Sequence, residues 1–175
     1  MKLAYRGALL LLMGALGLVG VLAPLEASAQ PSNALKAEEI IERLAAPPAS
    51  RTRSLGTRAF KLEPRMIDFQ IGFDFDSARI RPDGIAQLEE IARALQAERL
   101  AELRFRVEGH TDAAGTATYN DSLSERRARA VVEFLAARRI DVERLKPEGR
   151  GMRDLAEPGN PLSAANRRVR IVTID

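Results

Sequence analysis

The chain has 175 residues, enough for one ordinary domain and a targeting segment, and its formal net charge is only +3. Cysteine is absent and there is one histidine, which excludes disulfides, thiol chemistry, lipidation on a cysteine and a multi-histidine metal site. Tryptophan is absent and the charge is nearly balanced, which disfavours a stacking or electrostatic surface for nucleic acid. We therefore expect no cofactor, no metal site and no nucleic-acid partner.

Residues 1–29 are typical of a secretory signal peptide. Lys2 and Arg6 precede an apolar run from 7 to 25, and Ala27-Ser28-Ala29 has the A-x-A pattern of a cleavage site. The run is also long enough for an uncleaved membrane anchor, which stays open as the alternative. In both cases the basic start predicts that the remaining residues lie outside the cytoplasm, with membrane contact only if the segment is retained.

Residues 30–61 are predicted to form a short helix and a basic linker. Apolar residues at helical spacing from 33 to 46 can share one face, with Asn33 as a candidate cap: Leu35, Ile40, Ile41 and Leu44. Residues 49–61 contain four basic residues and no acidic one. This linker is either a solvated spacer or a tether that touches an anionic polymer or membrane.

Residues 62–175 are predicted to form one α/β (α+β) domain. Apolar and polar residues alternate from 67 to 76, which predicts a half-buried strand that includes Ile67, Phe69, Ile71, Phe73 and Phe75. Further strands are predicted at 103–108, 145–151 and 168–174, and helices from Pro82 and at 120–138. Ile85, Leu88, Ile91, Ala92 and Leu95 are predicted to share the buried face of the first of these helices. The alternation predicts a two-layer sandwich with helices on one sheet face.

Arg127 interrupts the apolar stripe of the predicted helix 120–138. It follows Leu123 by four residues and precedes Val131 by four, so it lies in the middle of that stripe. A guanidinium there stays charged and is costly to leave without an anion. The anion is either an internal carboxylate, which would close a core salt bridge, or the carboxylate of a ligand.

Asp112 lies in the predicted loop 109–116, directly before that helix. It could cap the helix, accept hydrogen bonds from the loop backbone, or pair with a ligand ammonium. Asp112 and Arg127 held near one another would bind a zwitterion. The free end of a diamino acid is such a group.

Residues 72–175 resemble the OmpA-like peptidoglycan-binding domain, which is shared by outer-membrane protein A, peptidoglycan-associated lipoprotein and flagellar stator B subunits. The resemblance is carried by motifs in family order: Phe73-Asp74-Phe75-Asp76-Ser77, Gly109-His110-Thr111-Asp112, Leu123-Ser124-Glu125-Arg126-Arg127-Ala128 and Asn166-Arg167-Arg168-Val169. It implies a βαβαββ fold with a four-stranded mixed sheet. It also implies a location in the periplasm or cell envelope, with outer-membrane association possible.

The resemblance implies non-covalent binding of peptidoglycan through the meso-diaminopimelate of its stem peptide. Asp112 and Arg127 match the residues that grip the amine and the carboxylate. Five further residues match other positions of the pocket or its wall: Asn120, Arg167, Asp74, Asp76 and Leu123. Leu162-Ser163 and Leu155 depart from the family pattern, which affects the expectation for loop 152–165.

Two other functions remain as alternatives. An enzyme that acts on peptidoglycan is disfavoured because no nucleophile is paired with a base, and we interpret His110 as structural. An envelope scaffold, with a protein partner bound by residues 33–61, is compatible with wall binding.

Overall fold

The computed structural model describes residues 34–45 and 64–174, so the predicted signal peptide and the basic linker lie outside the described residues. The helices and strands are α1 (Ala37–Leu44), β1 (Met66–Phe69), α2 (Pro82–Gln96), β2 (Arg104–His110), α3 (Ala117–Ala136), β3 (Leu145–Gly151) and β4 (Val169–Ile174). Short 3₁₀ turns lie at Glu98–Leu100, Val142–Arg144 and Ala164–Asn166. None of the helices in these two ranges is both long and apolar enough to cross a membrane.

Within the described ranges the strands form one mixed sheet in the order β1-β4-β2-β3. Strand β4 pairs antiparallel with both β1 and β2, whereas β2 and β3 run parallel. Parallel neighbours need a crossover connection, which α3 provides. The predicted α/β sandwich with a four-stranded mixed sheet is confirmed.

Helix α3 lies unusually close to β2 and β3. A Cβ atom on Gly109 would lie 3.0 Å from the carbonyl carbon of Ser124 and nearer still to its oxygen. On the neighbouring strand, the amides of Gly149 and Gly151 donate to the side chains of Glu125 (2.7 Å) and Ser124 (2.9 Å). These contacts fix the height and rotation of α3 above the sheet, and so the position of Arg127 one turn further along.

Helix α1 shares the core of the domain. It is shorter than predicted and follows Lys36, which makes no side-chain cap. Ile40 and Leu44 are completely or almost completely buried, and α1 contacts both α2 and β1. Side chains of α2 cap its first turn instead, since Glu90 accepts from the amide of Ala37 at 3.0 Å.

The predicted faces of the helices are largely confirmed, with corrections at their ends. In α2, the predicted core residues Leu88, Ile91, Ala92 and Leu95 are buried, whereas Ile85 is 39 % exposed and its prediction was wrong. Helix α3 begins at Ala117, three residues before the predicted start, because the Thr116 hydroxyl accepts from the amide of Tyr119 at 3.2 Å. Strand β2 continues to His110, through the first residues of the predicted loop.

The strand predicted over 67–76 is wrong in length, since β1 ends at Phe69. The last register pair is Phe69 with Val169, the first residue of β4, so the chain has no partner strand beyond this point. Phe73 forms only an isolated bridge with Ile80, which closes a local loop. Phe75 at the tip of that loop is 100 % exposed rather than half-buried.

Candidate functional site

A cavity of about 280 Å³ opens between the segment that follows β1, the start of α2, the middle of α3 and the residues that precede β4. Gln70, Ile71, Gly72 and Phe73 form one wall. The charged and titratable side chains of the lining are Arg81, Asp83, His110, Arg127, Arg167 and Arg168. Arginine therefore dominates the cavity, and its interior attracts anions.

Arg127 reaches this cavity from α3 and is only 9 % exposed. Its Nε donates to the backbone oxygen of Ser77 at 3.0 Å, and its guanidinium lies 4.9 Å from the centroid of the Phe73 ring. Burial lowers the pKa of Arg127, whereas the nearby Tyr119 and Asp112 oppose that shift. No carboxylate within the described ranges forms an ion pair with Arg127, so these residues do not supply the internal salt bridge considered from the sequence.

Asp112 lies beside the cavity rather than in its lining. Its Oδ2 accepts from Nη1 of Arg167 at 2.8 Å, and its Oδ1 accepts from the amide of Ala114 at 3.1 Å. The second contact is the turn-stabilising bond expected of an aspartate in this loop. The helix cap of α3 is Thr116, not Asp112.

Of the remaining predicted site residues, Arg167 lines the cavity, whereas the other four do not. Asn120 is buried, and its amide donates to the carbonyl of Ala114 at 2.9 Å, which holds the loop before α3. Leu123 is also buried. Asp76 accepts a hydrogen bond from the Tyr119 hydroxyl, and Asp74 lies 3.8 Å from Arg79 at the surface.

Four charged or titratable residues of the lining were not predicted as site residues: Arg81, Asp83, His110 and Arg168. Arg81 and Asp83 flank the proline that begins α2, and nothing in the helical pattern indicated that they face a cavity. Arg168 adjoins the predicted Arg167 within one motif, which is the only sequence signal that could have found it.

His110 and Glu108 are buried together at the end of β2. The His110 Nε2 lies 3.4 Å from a Glu108 carboxylate oxygen, and Arg106 donates to the other oxygen at 2.8 Å. Burial raises the pKa of Glu108, but the contacts with His110 and Arg106 outweigh burial and lower it to about 2. In the described ranges the ring nitrogens of His110 have no hydrogen-bond partner of good geometry.

Arg168 and Arg170 connect the cavity floor to strand β1 and to the loop that follows β3. Arg168 donates to Asp68 at 3.1 Å and to the carbonyl of Asp154 at 3.0 Å. Arg170 donates to both carboxylates, at 2.6 Å and 2.7 Å. Burial raises the pKa of Asp68, but the contacts with Arg170 and Arg168 outweigh burial, so the pKa lies below its ordinary value. The network fixes Arg168 at the cavity.

Asn166 of the closing motif orders the loop 152–165, for which the sequence departed from the family pattern. Its side-chain oxygen accepts from the amide of Glu157 at 2.8 Å, and its nitrogen donates to the carbonyls of Asn160 and Pro161.

Across the described residues, no three acidic, histidine or cysteine side chains lie together as a metal site.

The fold is that of an OmpA-like domain, and comparison with known proteins agrees. Residues 72–169 match the sequence profile of the OmpA family, which is more than half of the chain. The chain therefore belongs to the OmpA family, as the motifs predicted.

Two curated relatives and one solved structure illustrate the similarity. The chain is 36 % identical over 104 residues to outer membrane protein A of Bordetella avium, which covers 57 % of this chain and 51 % of the relative. It is 40 % identical over 77 residues to the peptidoglycan-associated lipoprotein of Brucella melitensis, and this match covers 44 % of this chain and 45 % of the relative. The cell wall anchor of the T6SS from Pseudomonas aeruginosa superposes with a TM-score of 0.53 and 26 % identity, over 79 % of this chain and 92 % of that one.

The chain spans about half the length of the curated relatives it matches. The names of these proteins are those of outer-membrane, wall-associated and anchoring proteins, and none is the name of an enzyme.

Proposed function

We propose that this protein binds peptidoglycan non-covalently in the cell envelope and that the meso-diaminopimelate of the stem peptide is the group recognised. The observation that carries the proposal is Arg127, a charged and largely buried guanidinium that lines a cavity and pairs with no carboxylate of the described residues. The names of the lipoprotein relative and of the cell wall anchor support a peptidoglycan ligand.

Arg127 suits the carboxylate of the diamino acid. Its Nε is already engaged by Ser77, whereas its two Nη groups donate to none of the described residues. These two groups can hold one carboxylate bidentately, and the Phe73 ring restricts the guanidinium from the other side. Burial strengthens this ion pair because it reduces screening by water.

Asp112 is the proposed acceptor for the ammonium of the diamino acid. Its carboxylate is held by Ala114 and Arg167, which leaves further lone-pair positions for a third donor. Arg167 is about half exposed and lines the cavity, so it can approach the ligand while it holds Asp112 in place.

The other predicted site residues have supporting roles in this proposal. Asn120 and Leu123 hold the loop and helix that carry Asp112 and Arg127. Asp74 and Asp76 belong to the exposed loop whose Ser77 oxygen orients Arg127, so they would contact the stem peptide only at its outer edge.

The proposed mechanism is equilibrium recognition without turnover. One site is expected to bind a single stem peptide modestly, and the polymer to strengthen retention through its many repeated sites. The scaffold alternative gains no support from α1, because the apolar face of this helix is buried within the domain and is not free for a partner.

Co-sedimentation with purified insoluble peptidoglycan tests the proposal. We expect the wild-type protein to sediment and free meso-diaminopimelate to compete. Arg127→Gln and Arg127→Lys should weaken binding by about 2–5 kcal/mol, because lysine cannot reproduce the bidentate contact. Asp112→Asn should weaken binding as well.

Arg126→Gln is the matched control, since Arg126 is adjacent on α3 but exposed and hydrogen-bonded to Ser122. Sedimentation of Arg127→Gln at the wild-type level, or no sedimentation of the wild type, would show that this cavity is not a wall-binding site.

A further inference from the structure

The cavity holds more positive charge than the free end of one diamino acid requires. Four arginines line it, against one carboxylate, that of Asp83. Three of the four have acidic partners, since Arg167 pairs with Asp112, Arg168 with Asp68 and Arg81 with Asp83. Only the Arg81–Asp83 pair has both side chains more than half exposed, so after Arg127, Arg81 is the arginine whose partner a ligand carboxylate replaces most easily.

Arg81 lines the same cavity as Arg127 and is tied to the wall formed by Gly72 and Phe73. Its backbone amide donates to the carbonyl of Gly72 at 2.9 Å, while Arg127 packs on the ring of the next residue, Phe73. Because both side chains line one cavity, a short ligand bound in it could contact both guanidiniums.

The Arg81 guanidinium has only one acidic neighbour among the described residues. Its Nε lies 3.3 Å from Oδ1 of Asp83, and the same oxygen accepts from the amide of Gly84 at 3.1 Å. The side chain of Arg81 donates no hydrogen bond to the described residues. Both side chains are more than half exposed, so this pair is weak and does not prevent a stronger carboxylate ligand from binding.

Arg168 adds a second, independent indication of anion binding. It is buried and lines the same cavity, and its Nη1 has no hydrogen-bond partner in the described part of the chain. Asp68 and Asp154 pair with Arg168, so it offers a ligand this Nη1 donor rather than an unpaired charge.

We propose that Arg81 forms a second carboxylate subsite, so that the cavity recognises a stem peptide rather than the diamino acid alone. This inference rests on the proposed function. The residues that flank the diamino acid in a stem peptide offer two carboxylates, the α-carboxylate of the γ-linked D-glutamate and the terminal carboxylate of D-alanine. Either one supplies the chemistry that Arg81 selects.

Titration calorimetry of the full chain with three synthetic peptides tests the inference. The first is the tetrapeptide L-Ala-γ-D-Glu-meso-Dap-D-Ala. The second carries an α-carboxamide on glutamate, and the third a C-terminal carboxamide. All three keep the amine and the carboxylate assigned to Asp112 and Arg127.

We expect one of the two carboxamides to reduce wild-type affinity about fivefold, the loss of a half-exposed charge pair. Arg81→Gln should bind the tetrapeptide about fivefold more weakly and should no longer distinguish it from that carboxamide. Arg79→Gln is the matched control, since Arg79 is exposed, pairs with Asp74 and does not line the cavity.

Wild-type affinity that neither carboxamide reduces would overturn the second subsite, as would an Arg81→Gln protein that still distinguishes the peptides. If Arg127→Gln abolishes tetrapeptide binding in the same series, the proposed function stands while this inference fails. If the wild type binds no tetrapeptide, both fail together.

Discussion

Substitution of Gly109 by alanine tests how closely α3 must lie on the sheet. Gly109 is near the end of β2, and a Cβ atom at this position would meet the backbone of Ser124 in α3. The carbonyl carbon would be 3.0 Å away and the oxygen closer, where ordinary contact begins at 3.4 Å. Neither atom belongs to a flexible side chain, so the helix itself must move.

The expected cost follows from this geometry. To relieve the contact, α3 must move by on the order of 1 Å, which disturbs a close-packed interior. It also stretches the contacts of Ser124 and Glu125 with Gly151 and Gly149. Overpacking of this kind typically costs 1–3 kcal/mol, and we expect about 3 kcal/mol. This is a large part of the roughly 5–15 kcal/mol that stabilises an ordinary domain.

Urea unfolding followed by circular dichroism measures this cost. With a slope of about 2 kcal/mol per molar urea, the midpoint of Gly109→Ala should fall by roughly 1.5 M. Gly159→Ala is the control, because a Cβ on Gly159 meets nothing within 4 Å. A midpoint for Gly109→Ala equal to that of the control would refute the argument that this glycine sets the helix–sheet distance.

Two further predictions concern α1 and the buried carboxylate of β2. Because Ile40 is 0 % exposed, Ile40→Ala should lower the free energy of unfolding by about 2–5 kcal/mol. Glu38→Ala is the control, since Glu38 is exposed and its substitution should cost less than about 0.5 kcal/mol. Equal urea midpoints for these two variants would show that α1 does not belong to the core. The pKa of Glu108 is about 2 in the folded protein and 4.5 ordinarily, so its stabilising contribution is present above pH 4.5 and is lost as the pH falls toward 2. Between pH 4.5 and 2 the free energy of unfolding should therefore depend less on pH in Glu108→Gln than in the wild type. Glu133→Gln is the control, since Glu133 is exposed and should leave the pH dependence unchanged. The same pH dependence in Glu108→Gln and in the wild type would contradict the lowered pKa of Glu108.

Local spacing was sufficient to predict the helices and the depth of Arg127. The 3.6-residue period places residues four apart on one face whatever surrounds the helix, so Val131 and Arg127 could both be assigned to the buried side of α3. Helix ends were predicted less well. The cap of α3 depends on the Thr116 hydroxyl, and that of α1 on Glu90 of another helix, 53 residues away.

Strand length was not predictable in the same way. Alternation continues through Phe75, but a strand persists only where a neighbouring strand completes its hydrogen bonds. The partner of β1 begins at Val169, so β1 ends at Phe69 and Phe75 is left in solvent. No pattern within residues 67–76 contains that information.

The sequence by itself determined the family, the order of helices and strands, and the burial of a charged Arg127 that needs an anion. Only the tertiary structure decided which groups meet that charge, because ion pairs form between residues far apart in the chain. Asp112 pairs with Arg167, 55 positions away, and Arg127 binds the Ser77 carbonyl, 50 positions away. The cavity is likewise a product of packing, since Arg81 reaches it only because β1 ends early and the chain folds back toward α2.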